Sequence, residues 1–167
     1  MNSYLERLQR ELERTMGAAS PAALSHAPPE KWNAIQIAEH LLLTYKHTSR
    51  GLAKCLQQGV PTASRPTLKD RMASLLVLSL GYIPNGRKSP ERVLPKGMLP
   101  EEVKTGIGEE LRKMDSILAE CERQFGRRTR ITDHPFIGPL TADGWRKFHW
   151  VHGRHHLRQM RERIGKA

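Results

Sequence analysis

His152 and His156 stand four residues apart in a C-terminal segment, 142–164, whose large apolar residues recur at helical spacing. At 100° per residue, Trp145, Phe148, His149, His152, His156, Gln159, Met160 and Arg163 share one face. Two imidazoles one turn apart lie about 6 Å apart along the axis, so a ring nitrogen of each can reach one metal ion at about 2.0–2.1 Å. The same spacing also suits a hydrogen-bonded core pair or a surface pair, and a third ligand from another helix is what separates these readings. His40 is the candidate: it follows Glu39 at the margin of the apolar stripe formed by Ile37, Leu41 and Thr44. His47, two turns further on, reads either as an additional ligand or supporting group or as a partly exposed histidine. Gln159, one turn beyond His156, reads as a partner for a ligand's second nitrogen or as a surface polar residue. His155 faces away from the stripe.

Several other chemistries are excluded. Gly153 occupies the place where a zincin helix carries its glutamate, so that class of protease lacks its base here. No glycine-rich phosphate loop and no Gly-x-Ser-x-Gly elbow occurs, and neither Cys55 nor Cys121 stands in a catalytic setting. No catalytic residue is assigned: His149 is the one candidate general base, and packing beside Trp145 is the competing role.

The elements that must position these residues read as helices throughout, with no sustained strand alternation. Ser3 to Glu6 is a capping-box pattern ahead of the stripe Leu5, Leu8, Leu12, Met16. Residues 18–29 read as a loop stopped by Pro28-Pro29. Asn33 caps a long helix from Ala34 to about Gln58, ended by Gly59 and Pro61. A third helix spans Thr67 to about Leu80, and 81–99 form a long irregular loop. Pro100-Glu101-Glu102 opens a helix to about Phe125, closed by Gly126. Residues 127–140 are a second loop, and Thr141 caps the last helix, to about Ile164. The expectation is an all-α, single-domain chain over 1–167: a four-helix bundle with an additional short N-terminal helix.

The 167 residues include 28 Lys+Arg against 17 Asp+Glu, a net charge of +11. Such a balance raises nucleic acid as a partner. The excess is scattered over Arg87-Lys88, Arg127 to Arg130 and 146–166, however, and the last helix commits Trp145, Phe148 and Met160 to the core. Only its Arg154, Arg158 and Arg161 side is free, so nucleic acid is not the expected partner. Two distant cysteines exclude a disulfide scaffold and point to a reducing compartment. The longest apolar run, around Leu75 to Leu80, is far below the roughly 20 residues of a membrane span. The charged start, Met1 to Arg7, has no signal-peptide core. The expected location is cytoplasmic and bacterial, with no membrane association.

Three segments resemble the DinB/YfiT-like superfamily of metalloenzymes. Lys31-Trp32-Asn33 through Glu39-His40-Leu41 is similar to that family's W-s/n-…-EHL opening. His134-Pro135-Phe136-Ile137-Gly138-Pro139-Leu140-Thr141 followed by Trp145 resembles its HP-fG-lt-…W entry to the last helix, in the form typical of one uncharacterised branch. His152-Gly153-Arg154-His155-His156-Leu157-Arg158-Gln159 resembles its H-x-x-H-H-x-x-Q signature. Together they span most of the chain, from Lys31 to Gln159.

The resemblance implies a four-helix bundle holding a divalent metal on three histidines, carried over here to His40, His152 and His156. Nickel, zinc and iron all suit imidazole ligands, and the sequence does not choose among them. It further implies activation of a low-molecular-weight thiol, as in thiol-dependent S-transferases and isomerases, with activation of water as the generic alternative. Cations of the 81–99 loop would form a rim for an anionic group. The substrate remains open. The competing reading is a non-catalytic helical module that pairs with itself, with apolar surface left over on the first helix suited to a homodimer.

Overall fold

The computed structural model describes residues 1–83 and 89–165. Among these, four long helices surround one core: α1 (Ser3–Gly17), α3 (Ala34–Gln58), α5 (Pro100–Phe125) and α6 (Ala142–Ile164). Three of them, α1, α3 and α6, begin where a side chain accepts from a backbone N–H of the first turn, and α5 opens on Pro100, which has no N–H to satisfy. Asn2 accepts from Tyr4 and Thr141 from Gly144. Asn33 and Gln36 satisfy each other's backbone in a reciprocal capping box. Gly59, at φ 69°, ends α3 in the left-handed conformation that glycine adopts at least cost. The fold is all-α, as expected, with an N-terminal helix preceding the segment that carries His40.

The stripe on α1 goes entirely inside. Leu5, Leu8 and Leu12 have no exposed surface and Met16 almost none, packed against α6 and α5. This corrects the expectation of spare apolar surface on the first helix: the bundle uses all of that face. α3 lies most extensively on α5 and also against α6. Gly153 of α6 faces Leu8, and a β-carbon there would meet Leu8 Cδ1 at 2.3 Å. The same contact explains why this position holds no glutamate: it points to α1, away from the histidines.

Two short elements escaped the reading of periodicity. The segment 18–29 contains a single turn, α2 (Pro21–Ser25), started by Ser20 as cap and Pro21 in the first turn. Residues 127–140 contain a hairpin, β1 (Thr132–His134) paired antiparallel with β2 (Gly138–Leu140). Three-residue strands are too short to show alternation, so only the turn signals Pro135 and Gly138 were visible. The third helix, expected from Thr67, is capped by that residue and runs as α4 (Leu68–Ser74) before widening into a π-helical turn over Leu75–Ser79.

Of the 81–99 loop, a 3₁₀ turn (Glu91–Val93) and the strap leading to α5 are described; the cations Arg87 and Lys88 lie outside the described residues. Arg146, counted above in the basic excess, is buried and bonded to Asp115 and Glu122 at 2.8 Å each. Among the described residues no helix is long and apolar enough to cross a membrane.

Candidate metal centre

His40, His152 and His156 come together, each offering one ligand atom within 4.8 Å of the others. His40 arrives from the second turn of α3; the other two arrive from the middle of α6. The Nε2 atoms of His152 and His156 face each other at 3.1 Å. Ligand atoms of a tetrahedral site with bonds of about 2.0–2.1 Å are about 3.3 Å apart, so this pair already has metal-ligand spacing.

The protons of two rings are set by their outer nitrogens. His40 Nδ1 lies 2.8 Å from the Val93 carbonyl, which only accepts, so the proton sits on Nδ1 and Nε2 keeps its lone pair. Gln159 lies between His155 and His156. Its NH2 faces His155 Nε2 at 3.2 Å and its carbonyl faces His156 Nδ1 at 2.8 Å. The Gln159 oxygen therefore accepts from His156 Nδ1–H, and His156 Nε2 is a lone pair as well. The lone pairs of His40 and His156 converge from separate helices, each of these two rings oriented by an acceptor on its far side, while His152 Nδ1 is buried without a hydrogen-bond partner among the described residues; the three imidazoles make a donor set that fits a divalent transition metal.

Burial keeps these rings neutral, the form that ligates. It lowers His40 despite the Val93 hydrogen bond, pushes His156 down to about 3, and takes His152 well below its ordinary value, with the neighbouring His156 and His40 adding to the shift.

Glu39 supports the site from behind. Its carboxylate is fully buried and accepts three backbone N–H bonds, from Lys96 at 2.6 Å, Gly97 at 3.1 Å and Met98 at 3.2 Å. That clamp fixes the strap whose preceding turn presents the Val93 carbonyl to His40. The sequence alone places Glu39 only in a motif, because its partners are 57–59 residues away.

The histidines sit in the wall of a cavity of about 920 Å³. His47 lines this cavity but is exposed and outside the three-histidine cluster; burial and the charges of Arg92 and Arg50 lower its pKa. His155, read as facing elsewhere, also reaches the rim and holds Gln159. His149 is fully buried, stacked on Trp145 at 5.9 Å and edge-on to Tyr45 at 5.3 Å. It does not line the cavity, which assigns it to packing rather than to base catalysis.

His134 is a pocket residue that the sequence places only in a His-Pro motif. The β1–β2 hairpin places its ring 4.2 Å from Phe148, and burial with the Arg92 charge pushes its pKa down to about 4. Its Nδ1 accepts from the Phe136 N–H at 3.2 Å, so the proton of the neutral ring is on Nε2. The His-Pro dipeptide ahead of a glycine turn was the available signal. Arg92 is the described loop cation that lines the cavity, and it has no ion-pair partner among the described residues.

No curated protein and no solved structure matches the chain significantly. A family model described as a protein of unknown function, DUF1569, matches residues 18–163. That stretch contains His40, the Glu39 clamp, the His134 hairpin and the His152/His156 pair, and the chain belongs to the DUF1569 family.

Proposed function

We propose that this chain is a metal-dependent enzyme of the DinB-like superfamily, with a divalent ion on His40, His152 and His156 and a thiol or water as the activated nucleophile. One observation carries the reading. Three neutral imidazoles from two helices converge within 4.8 Å in the wall of a large cavity, and two of them have their outer nitrogens held by acceptors. A structural site would close its fourth position with a protein ligand, whereas this cluster faces open space.

A divalent ion there supplies Lewis acidity, lowering the pKa of a thiol or water that reaches it. The protein's own residues do the rest. Val93 and Gln159 hold two ligand rings in one tautomer. Trp32 and Phe148 pack against His40 and His152 and keep bulk water from that side. His134 offers an Nε2–H donor to a bound substrate, and Arg92 stands at the rim as a cation for an anionic group. Nickel, zinc and iron all suit the donor set, and a thiol-dependent transferase is the activity proposed, in a homodimeric, cytoplasmic protein.

Cobalt titration tests this reading. Stoichiometric uptake should give visible absorption of a low-coordinate site, and 2-mercaptoethanol should add a thiolate-to-metal charge-transfer band. Uptake without any thiol band would leave water activation as the chemistry. Absence of uptake by the wild type would refute the metal reading.

A further inference from the structure

The sequence of α4 and its π-helical extension turns its apolar face outward. Leu68 is 75% exposed, Met72 and Leu75 are 61% exposed and Leu80 is 72% exposed, with Leu76 and Tyr82 also open. At 68, 72, 75/76 and 80 these positions follow helical spacing and form one continuous stripe. The opposite face is already used: Val77 is buried against the core and lines the cavity. The π-helical half of this segment is therefore apolar on both sides, and an outward apolar stripe of this length marks an interaction surface.

We propose that this stripe is a homodimer interface, in which α4 pairs antiparallel with α4 of a second copy about a two-fold axis. Area is the first argument. The six side chains expose on the order of 700 Å², close to the roughly 800 Å² per partner of a stable interface. Charge is the second. Between 66 and 83 the charged residues are Lys69, Asp70 and Arg71, all at the N-terminal end. Asp70 is committed to capping Thr67. Antiparallel pairing sets Lys69 and Arg71 against the uncharged, carbonyl-rich end of the partner helix, a favourable place for cations. Like cations of the two copies then lie about 12–18 Å apart, beyond the Debye length of about 8–10 Å. A parallel pair would superpose them. Two cations at one end also fall short of the basic polar face, or cluster of about 4–8 Lys/Arg, that attracts an anionic membrane.

The pairing has a consequence for the cavity. Val77 and Ile83 line it from the inner side of the same segment, so a second copy braces that wall from outside. The inference is independent of whether a metal is bound.

Sedimentation velocity on the intact chain at tens of micromolar should read about 38 kDa, twice the 19.0 kDa of one chain. The double variant M72E/L75E should halve that mass with an unchanged circular dichroism spectrum, since both side chains are exposed. L75C, near the axis, should cross-link under mild oxidation; L68C should do so only when combined with L80C. A wild-type monomer, a variant that remains dimeric, or L68C cross-linking to itself would each overturn the proposal. A monomer that sediments with phosphatidylglycerol vesicles would overturn it in favour of lipid.

Discussion

Replacing Glu39 by glutamine removes one charge and turns an acceptor into a donor. The carboxylate receives the N–H groups of Lys96, Gly97 and Met98 with no exposed surface of its own. Hydrogen bonds to a charged group are each worth about 1.5–3 kcal/mol, and an unsatisfied buried donor costs about 1–3 kcal/mol. Glutamine keeps one carbonyl oxygen but sets its NH2 against at least one backbone N–H. The relief of no longer burying a charge offsets part of the loss. The net expectation is about 2–4 kcal/mol, which for a chain of this size lowers Tm by about 5–15 °C. The effect should reach the site as well. A loosened strap withdraws the Val93 carbonyl from His40 Nδ1–H, and losing such a supporting partner costs about 10–100-fold in metal affinity. Thermal melts of apoprotein and cobalt titration of E39Q read the two effects separately. Glu101→Gln, an exposed acid paired with Lys104, is the control and should change neither by much. An E39Q protein with wild-type Tm and wild-type cobalt affinity would refute the clamp.

Glycines of the bundle should respond with opposite signs. Gly51→Ala meets nothing within 4 Å and should stabilise by about 0.5–1 kcal/mol through helix propensity. Gly153→Ala gains the same but drives its methyl into Leu8, so urea denaturation should show a net loss, with overpacking costing about 1–3 kcal/mol. Acid should unfold the apoprotein through its buried histidines. Burial holds His149 at about 3, against about 6.5 in the unfolded chain, so its neutral form contributes stability that is complete above pH 6.5 and is lost as pH falls toward 3. His149→Leu should flatten that part of the stability–pH curve, measured by urea midpoints between pH 7 and 4; an unchanged slope would place the proton uptake elsewhere.

Local signals carried much of the architecture. Asn33 and Thr141 are read as caps from the sequence alone and cap the helices they were expected to cap, whereas α1 is capped by Asn2 and not by the expected box from Ser3 to Glu6. The pairing of His152 with His156 follows from one turn of helix, and His40 from its place at the edge of an apolar stripe. What stayed hidden depends on neighbours far along the chain. Glu39 looks like an ordinary helix acid until the strap 57 residues away closes on it. Arg146 reads as surface charge until Asp115 and Glu122 enclose it. The α4 stripe has the same periodicity as a core-facing stripe, and only the packing shows that its outward face is uncovered. The His134 hairpin is built on three-residue strands, below the length at which a period can be counted.

Metal content measured by elemental analysis, on protein purified without a nickel column, tests the central claim most directly. Wild type should carry close to one equivalent of a transition metal per chain, or take up one from zinc or nickel at neutral pH. His156→Ala, which removes both a ligand and the facing partner of His152, should lose it while keeping its helical circular dichroism. A wild-type protein that neither carries nor takes up metal, or a His156→Ala variant that retains the full equivalent, would contradict the three-histidine site.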